Sequence, residues 1–257
     1  MKKIELKDVS FLIPVRIDSG ERMENLHLVL EFLNEFFDTN IILLEADTNE
    51  KVFHSCITEK IFIEDHEPVF HRTKYLNQMT LRCQTCYVAI WDADVLVAPD
   101  QINKAVQVLQ QGKADMAFPY DGHFYKMPRL FTNIYKKRLD VNDLEKNKSK
   151  FRMPAGSFSV GGAFLINRDK YIEAGMENES FYGWGSEDIE RVKRMEILGY
   201  KVQRVKGALF HLFHPIHENS WFFSKESEIR SRRLLINTCK MHQTELQNHV
   251  KTWKIKK

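Results

Sequence analysis

Short apolar runs and longer amphipathic segments alternate through the first 120 residues. Residues 9–15 form a compact apolar run typical of a buried strand, and residues 21–37 repeat apolar side chains with the spacing of a helix. The same alternation predicts further strands at 40–46, 60–64, 87–91 and 115–119, and further helices at 72–86 and 101–111. Strands separated by helices build a mostly parallel sheet flanked by helices, so the pattern predicts an α/β fold. In such sheets ligands bind beyond the carboxyl ends of the strands.

The pattern changes after residue 120. Residues 121–160 lose periodicity, and an irregular stretch of this length inside a domain is typical of a functional loop or a lid. Regular structure is predicted to return at 162–166, followed by a helix at 187–198 and a strand at 200–205. The tail, residues 224–257, is predicted to be helical and is basic at its end.

Composition narrows the class of protein. The chain has 257 residues, 43% of them hydrophobic, which is enough for a real core, and its net charge of +3 argues against a nucleic-acid binder. Four cysteines do not make a disulfide scaffold in a chain of this length, so we expect reduced thiols and a cytoplasmic protein. We expect neither a signal peptide nor a membrane span, because no apolar run is long enough. The basic tail could contact the inner face of a membrane, and a solvated helix packed on the domain is the alternative.

Two aspartates follow directly after the apolar strand predicted at 87–91, in the sequence Asp92-Ala93-Asp94. Because the chain bends at a strand end, both carboxylates can turn towards one divalent cation. Mg²⁺ and Mn²⁺ are often held by one or two carboxylates together with substrate phosphates. Such a cation neutralises the charge that develops on a nucleoside diphosphate leaving group. A solvated turn or a helix cap is the alternative interpretation.

A tryptophan stands between two glycines, ahead of two acidic residues. Residues 183–188 read Gly-Trp-Gly-Ser-Glu-Asp. Ser186 can cap the helix that follows, and acidic residues in a first turn complement the helix dipole, which would account for Glu187 and Asp188 without any catalysis. That account does not explain Trp184. A tryptophan on a glycine-hinged loop can close over a sugar, and a neighbouring carboxylate can take a proton from an acceptor hydroxyl.

Three histidines, His211, His214 and His217, recur at a spacing of three residues. Imidazole is a common ligand for transition metals, so this spacing indicates a metal site. Histidines satisfied within the core are the alternative.

Basic residues lie at two predicted element ends. Arg16 follows Pro14 and Val15 at the end of the first strand, and Arg72 opens the helix predicted at 72–86. Guanidinium groups in these places could bind a diphosphate, and a purely solubilising role is the alternative.

Together these segments resemble the β-1,4-galactosyltransferase family and its bacterial relatives, including chondroitin-polymerase-like enzymes. The resemblance runs in order from about residue 11 to residue 219. It rests on Phe-Leu-Ile-Pro-Val-Arg at 11–16, the segment 70–77, Asp-Ala-Asp at 92–94, Gly161-Gly162 followed by Gly-Trp-Gly-Ser-Glu-Asp at 183–188, and His211. The block that contains Gly-Trp-Gly is the most specific of these.

The resemblance implies a GT-A fold, Rossmann-like, with a single glycosyltransferase domain over residues 1–223. The nucleotide-binding part would cover about 1–120, the acceptor and catalytic part about 121–223, and residues 224–257 would form a basic helical extension. The implied enzyme is metal-dependent and inverting. It would move galactose or an N-acetylhexosamine from a UDP-sugar to a saccharide or lipid-linked saccharide, in bacterial surface polysaccharide or glycan synthesis.

The resemblance also implies roles for individual residues. Asp94 and His211 would hold Mn²⁺ (or Mg²⁺) against the diphosphate, with His214 as the alternative ligand. Asp188 would be the general base, and Glu187 would position the acceptor or the base. The residues implied to contact the donor are Pro14, Val15, Arg16, Phe70, Arg72, Asp92, Ala93 and Asp94.

Trp184 would lie on the closing loop. Two positions depart from the family pattern: Ile189 stands where the family has a third acidic residue, and Asp18 stands where it has a second arginine. The alternatives to a transferase are a catalytically silent nucleotide-sugar-binding protein of the same fold and a metal-dependent hydrolase. A silent protein would be expected to have lost the metal ligands or the base, and Asp94, Asp188 and His211 are all present.

Overall fold

The computed structural model describes residues 2–215 and 222–253. The first part of the chain forms, in order, β1 (Ile4–Val15), α1 (Gly20–Phe36), β2 (Phe37–Asp47), β3 (Glu59–Glu64), α2 (Arg72–Arg82), β4 (Tyr87–Trp91), β5 (Val95–Val97), α3 (Pro99–Gln110) and β6 (Met116–Phe118). The second part forms β7 (Phe124–Lys126), α4 (Arg129–Arg138), α5 (Val141–Asn147), a 3-10 turn (Lys148–Lys150), β8 (Ala163–Asn167), α6 (Arg168–Glu173), α7 (Glu187–Ile197), β9 (Val202–Arg204), β10 (Leu209–His211), α8 (Lys225–Lys240) and α9 (Gln243–Lys251).

Within residues 2–215, a seven-stranded sheet in the order β3-β2-β1-β4-β8-β6-β9 forms the centre of the fold. Strands β1 to β4 run parallel, β8 is antiparallel to both β4 and β6, and β9 is parallel to β6. Helices α1 and α2 pack on β1 and β2, and α3 and α6 pack on β6 and β8. Leu12, Leu43, Ile90 and Leu165 are therefore fully buried in neighbouring strands. The predicted α/β fold with a mostly parallel sheet is confirmed.

A second sheet in the same part of the chain has the order β5-β10-β7, with β10 antiparallel to β5 and parallel to β7. Strand β5 begins directly after Asp94, and its first residue, Val95, pairs with His211 at the end of β10. The N–H of Leu212 then donates to the Asp94 carbonyl at 2.8 Å. This pairing brings the histidine-bearing end of β10 to the Asp-Ala-Asp turn.

The helix predicted at 72–86 is shorter in the structure, because α2 ends at Arg82. The backbone of Cys83 is already extended (φ −61°, ψ 139°). Beyond it, the Thr85 hydroxyl donates to the Tyr87 carbonyl at 2.9 Å. Such local side-chain bonds compete with helical ones, so the chain leaves the helix before β4 begins.

The prediction of irregular structure throughout 121–160 was wrong, because β7, α4 and α5 lie there. The buried residues of α4 are Thr132 and Tyr135, whereas its apolar residues Leu130 and Ile134 are 66% and 38% exposed, so hydrophobicity does not mark the buried face of this helix. Helix α4 is instead held to α1 partly by charge, as in the ion pair between Arg129 and Glu21 at 2.7 Å. A short helix whose apolar side chains do not coincide with its buried face is hard to place from the hydrophobic period alone.

The tail forms two helices, α8 and α9, which pack against α7. The Thr238 hydroxyl donates to the buried Glu190 carboxylate at 3.1 Å, and Leu246 and Val250 are buried. The helical prediction is therefore confirmed for most of the tail. Residues 254–257, which carry its terminal lysines, lie outside the described part, and membrane contact stays a prediction. Among the described residues, no helix is long and apolar enough to cross a bilayer.

Candidate active site

Asp92, Ala93 and Asp94 form the turn between β4 and β5, at the carboxyl end of a central strand. The N–H of Asp92 donates to the Gly162 carbonyl at 2.9 Å, so β8 supports one side of the turn. The indole N–H of Trp91 donates to the Val95 carbonyl at 3.2 Å and closes the other side. The turn is therefore fixed at both ends, and the Asp94 side chain is buried, with 3% of the residue exposed.

Asp94 lies against two histidines. Its Oδ1 is 3.5 Å from Nε2 of His211, and its Oδ2 is 3.3 Å from Nε2 of His214. The three ligand atoms lie within 4.8 Å of one another, and no other group of three such residues meets this criterion among the described residues. Donor atoms about 2.1 Å from one ion lie about 3 Å apart when adjacent, so small movements would make this a metal site.

Electrostatics favour the ligating forms of these side chains. Burial alone would raise the pKa of Asp94, but His211, His214 and Arg22 outweigh it and hold this pKa below its ordinary value. Burial lowers the pKa of His211 despite the neighbouring carboxylate, which favours the neutral imidazole. A metal binds carboxylate and neutral imidazole, so both groups are ready to act as ligands. His217 lies outside the described residues.

The backbone around His214 is held by two buried side chains. The N–H of Phe213 donates to Oγ1 of Thr132 at 3.0 Å, and the Phe213 carbonyl accepts from Nδ2 of Asn25 at 3.0 Å. Nδ1 of His214 lies 2.7 Å from the Pro215 carbonyl and is assigned as the protonated nitrogen. That tautomer leaves the Nε2 lone pair facing Asp94, as a metal ligand requires.

Arg22, in the first turn of α1, was not predicted as a site residue. Its Nη1 lies 3.4 Å from Oδ2 of Asp94 and its Nη2 lies 3.5 Å from Nδ1 of His214. Its Nε donates to Asp18 at 2.9 Å. The available signal was the i, i+4 spacing of Asp18 and Arg22 at a helix start, which predicts an ion pair but not its neighbours.

Arg72 connects the Asp-Ala-Asp turn to the start of α7. Its Nη2 donates to Oδ1 of Asp92 at 2.7 Å, and its Nη1 is 4.0 Å from Oδ1 of Asp188. Burial disfavours the charged guanidinium, but the two carboxylates outweigh burial and raise the pKa of Arg72. Burial also raises the pKa of Asp92, aided by the Asp94 charge and opposed by Arg72. Arg72 therefore lies between Asp92, which is predicted to contact the nucleotide sugar, and Asp188, which is predicted to be the general base.

Asp188 is held from behind by Arg191. Nη2 of Arg191 donates to Oδ1 of Asp188 at 2.6 Å, and its Nε donates to the buried carboxylate of Glu177 at 2.6 Å. A Cβ at Gly161 would lie 2.7 Å from Oδ2 of Asp188, so that position needs glycine for the carboxylate to approach. Arg191 and Glu177 were missed by the sequence analysis, because a mid-helix arginine has no distinctive pattern.

Glu187 lies beside Asp188 and is 8% exposed. Within the described residues its Oε2 has no hydrogen-bond partner. Burial, followed by the Asp188 charge, raises the pKa of Glu187 to about 8. Trp184 is 41% exposed, and its ring packs edge-on against Phe222 with centroids 4.8 Å apart. The Glu187 carboxyl is therefore protonated near neutral pH, and the Trp184 indole is partly exposed.

The predicted residues at the end of β1 form a separate group. Arg16 donates to the Ala46 carbonyl at 2.9 Å and to the Asp65 carboxylate, and its guanidinium lies 5.6 Å from the Phe70 ring centroid. Pro14 and Val15 are buried within β1. The structure thus brings Arg16 and Phe70 together, whereas the hydrogen bonds of Arg16 do not reach the Asp94 cluster.

One segment of the sequence matches a galactosyltransferase family model. The model, described as the N-terminal domain of galactosyltransferase, matches residues 142–218, which is under a third of the chain. The matched segment contains Glu187, Asp188, His211 and His214. No curated protein matches the sequence.

Solved glycosyltransferases share the fold. GalNAc-T7 with UDP, GalNAc and Mn²⁺ matches with a TM-score of 0.59 and 15% identity, over 89% of this chain and 47% of GalNAc-T7. A mutant of Drosophila β1,4-galactosyltransferase 7 with manganese, UDP-Gal and xylobiose matches with a TM-score of 0.55 and 15% identity, over 88% of this chain and 79% of that one. Glucosyl-3-phosphoglycerate synthase from Mycobacterium tuberculosis, with Mn²⁺, UDP and glucosyl-3-phosphoglycerate, matches with a TM-score of 0.52 and 12% identity, over 90% and 79% of the two chains.

These matches define a class. The chain has the GT-A glycosyltransferase fold and resembles the galactosyltransferase family in one matched segment, residues 142–218. It spans about half the length of GalNAc-T7, with 47% covered. It covers 65% of a second structure of the Drosophila catalytic domain, at 17% identity over 78% of this chain and a TM-score of 0.46.

Proposed function

We propose that the chain is a metal-dependent, inverting glycosyltransferase that moves a hexose from a UDP-sugar to a saccharide hydroxyl. The observation that carries this proposal is the meeting of Asp94 with His211 and His214 beside Asp188. The proposed metal ligands and base come from three separate parts of the chain: the β4–β5 turn, the start of α7 and the segment at the end of β10. The complexes of GalNAc-T7 and of the Drosophila enzyme, both with a nucleotide and manganese, support it.

Asp94, His211 and His214 would hold the metal ion. One carboxylate oxygen and two imidazole nitrogens form a mixed donor set, which suits Mn²⁺ better than Mg²⁺, because Mg²⁺ prefers an all-oxygen shell. When bound, Mn²⁺ would neutralise the charge that develops on the diphosphate leaving group. Arg72 lies close to this set through Asp92 and adds a positive charge of its own.

Asp188 would act as the general base. Arg191 donates to its Oδ1 and keeps it oriented, which leaves Oδ2 to accept the proton of an acceptor hydroxyl. The hydroxyl oxygen then bonds to the anomeric carbon, the bond from that carbon to the diphosphate oxygen breaks, and the proton stays on Asp188. Because no enzyme group bonds to the sugar, a single displacement inverts the anomeric centre.

Glu187 and Trp184 would form the acceptor side. A Glu187 carboxyl with a pKa of about 8 is protonated near pH 7 and can donate a hydrogen bond to a sugar oxygen. The exposed face of the Trp184 ring can pack on a sugar ring. The identity of the donor sugar, and a lipid carrier on the acceptor, stay predictions.

The test is calorimetric titration with a panel of UDP-sugars, with and without Mn²⁺, on the wild type and on Asp94→Asn. Changes to groups that hydrogen-bond a metal ligand already cost about 10–100-fold in metal affinity, so the loss of this ligand should cost more. Asp121→Asn is the control, because Asp121 pairs with His123 at 2.5 Å and does not belong to the metal set.

Asp188→Asn separates binding from catalysis. It should keep metal-dependent donor binding and lower kcat by about 10²–10⁴-fold, and the anomeric configuration of the wild-type product should be inverted by NMR. A wild type that binds UDP-sugars with Mn²⁺ but transfers to no acceptor would support the silent binding protein instead. Absence of any nucleotide binding would overturn the proposal.

A further inference from the structure

Two hydrogen bonds hold Arg22 at the start of α1. Its backbone N–H donates to Oγ of Ser19, the N-cap residue of α1, at 3.2 Å, and its side-chain Nε donates to Oδ1 of Asp18 at 2.9 Å. Only 17% of its side chain is exposed. The guanidinium is therefore held in place before any ligand binds, with its two Nη atoms directed at the metal set.

Its contacts with the metal set are long in comparison with its anchor. The Nη atoms lie 3.4 Å from Oδ2 of Asp94 and 3.5 Å from Nδ1 of His214, whereas the bond to Asp18 is 2.9 Å. Arg22 thus partly compensates the charge of Asp94 without completing strong hydrogen bonds. A divalent cation held by the same carboxylate would meet a fixed positive neighbour, and like charges in a poorly solvated site repel.

A diphosphate reverses the sign of this interaction. Its oxygens carry negative charge, and the planar guanidinium fork matches phosphate geometry. The Nη hydrogen that makes a long contact with Asp94, and the one that faces the protonated Nδ1 of His214 without an acceptor there, can be donated to phosphate oxygens instead. Arg22 therefore opposes the cation alone but favours the cation and a diphosphate together.

We propose that Arg22 couples the binding of the divalent cation to that of the nucleoside diphosphate. The inference rests on the proposed function, because it needs both ligands at this site. In the free protein the Arg22 guanidinium partly neutralises the Asp94 carboxylate, and this weakens the binding of the cation. In the ternary complex it binds the diphosphate, so each ligand strengthens the binding of the other, as linkage requires.

The local sequence fits this role. Arg22 follows Asp18 by four residues, about one helical turn. The carboxylate of Asp18 cannot bind phosphate, but it anchors the guanidinium that does.

The experiment measures four affinities by titration calorimetry: Mn²⁺ alone, UDP alone, Mn²⁺ with saturating UDP, and UDP with saturating Mn²⁺. In Arg22→Met, Mn²⁺ alone should bind several-fold tighter, while UDP with saturating Mn²⁺ should bind about 10-fold weaker or more. The coupling factor between the two ligands should fall accordingly. An affinity gain for one ligand and a loss for the other is not expected from general structural damage.

Two further variants sharpen the test. Arg22→Lys keeps the charge but loses the fork, so Mn²⁺ alone should bind as in the wild type while UDP affinity falls. Arg138→Met is the control, because Arg138 pairs with Asp143 at 3.3 Å, is 68% exposed and makes no contact with the metal set. It should change none of the four affinities.

Unchanged or weaker binding of Mn²⁺ alone by Arg22→Met would overturn the inference, as would an unchanged coupling factor. If Arg22→Met does not fold by circular dichroism, Arg22→Gln removes the charge in its place and is judged by the same outcomes. A wild type that binds neither ligand overturns the proposed function itself. If the wild type binds both ligands and Arg22→Met has the same coupling factor as the wild type, only this inference is overturned.

Discussion

Thr132 offers a direct test of how α4, a helix that the sequence analysis did not predict, shapes the candidate metal site. It lies in α4, is 2% exposed, and accepts from the N–H of Phe213 at 3.0 Å. Phe213 directly precedes His214, whose Nε2 is 3.3 Å from Asp94. Thr132→Val keeps the shape of the side chain but removes the acceptor, and leaves a buried N–H without its partner.

The magnitude follows from that lost bond. An unsatisfied buried donor costs about 1–3 kcal/mol of unfolding free energy. For a domain of about 150–250 residues, each kcal/mol lowers Tm by about 2–4 °C. Groups that position a metal ligand typically change metal affinity about 10–100-fold. We therefore expect both a lower Tm and a Kd for Mn²⁺ that is about 10-fold higher or more.

The assay combines thermal unfolding without metal and calorimetric titration with Mn²⁺. Thr132→Ser retains the hydroxyl and should restore most of the metal affinity. Thr238→Val is the matched control, because Thr238 is also buried (3% exposed) and its hydroxyl donates to Glu190 at 3.1 Å in the tail. It should lose stability and bind Mn²⁺ as the wild type does.

The reasoning is refuted if Thr132→Val loses stability to the same extent as Thr238→Val and still binds Mn²⁺ with wild-type affinity. In that case the hydrogen bond stabilises α4 but does not position His214. An unchanged Tm would refute the structural premise as well.

Two further predictions concern the carboxylates beside α7. Because burial raises the pKa of Glu187 from 4.5 to about 8, the folded state binds an extra proton between these values, and stability should fall as pH rises through this range, by at most about 1.4 kcal/mol per pH unit. Urea unfolding at pH 6 and 8.5 should show this slope in the wild type and much less of it in Glu187→Gln; equal slopes would contradict the buried acid. Arg191→Met should cost about 3–5 kcal/mol in denaturant unfolding, because it leaves Glu177 charged and buried. A cost below about 1 kcal/mol would mean that Glu177 finds another partner or becomes protonated.

Much of the site was predictable where its residues follow a local pattern. Asp92 and Asp94 could be placed because they directly follow an apolar run that forms β4. Glu187 and Asp188 could be placed because glycines and a serine end the preceding loop and start α7. The alternative between His211 and His214 stayed open, since both follow the same strand. In the structure both histidines place Nε2 within 3.5 Å of Asp94, so both are proposed as ligands.

The alternation of apolar runs and amphipathic segments by itself determined the α/β sheet, and motif spacing by itself determined which residues end the strands and start α7. These features depend on neighbours within one or two turns or strand residues. Only the tertiary structure decided that Arg22 meets Asp94, 72 positions away, and His214, 192 positions away. It also decided that Arg16 turns to Asp65 and that a polar helix supports Phe213. Such contacts are set by strand register and by packing between distant elements, and hydrophobic periodicity within a segment contains no information about either.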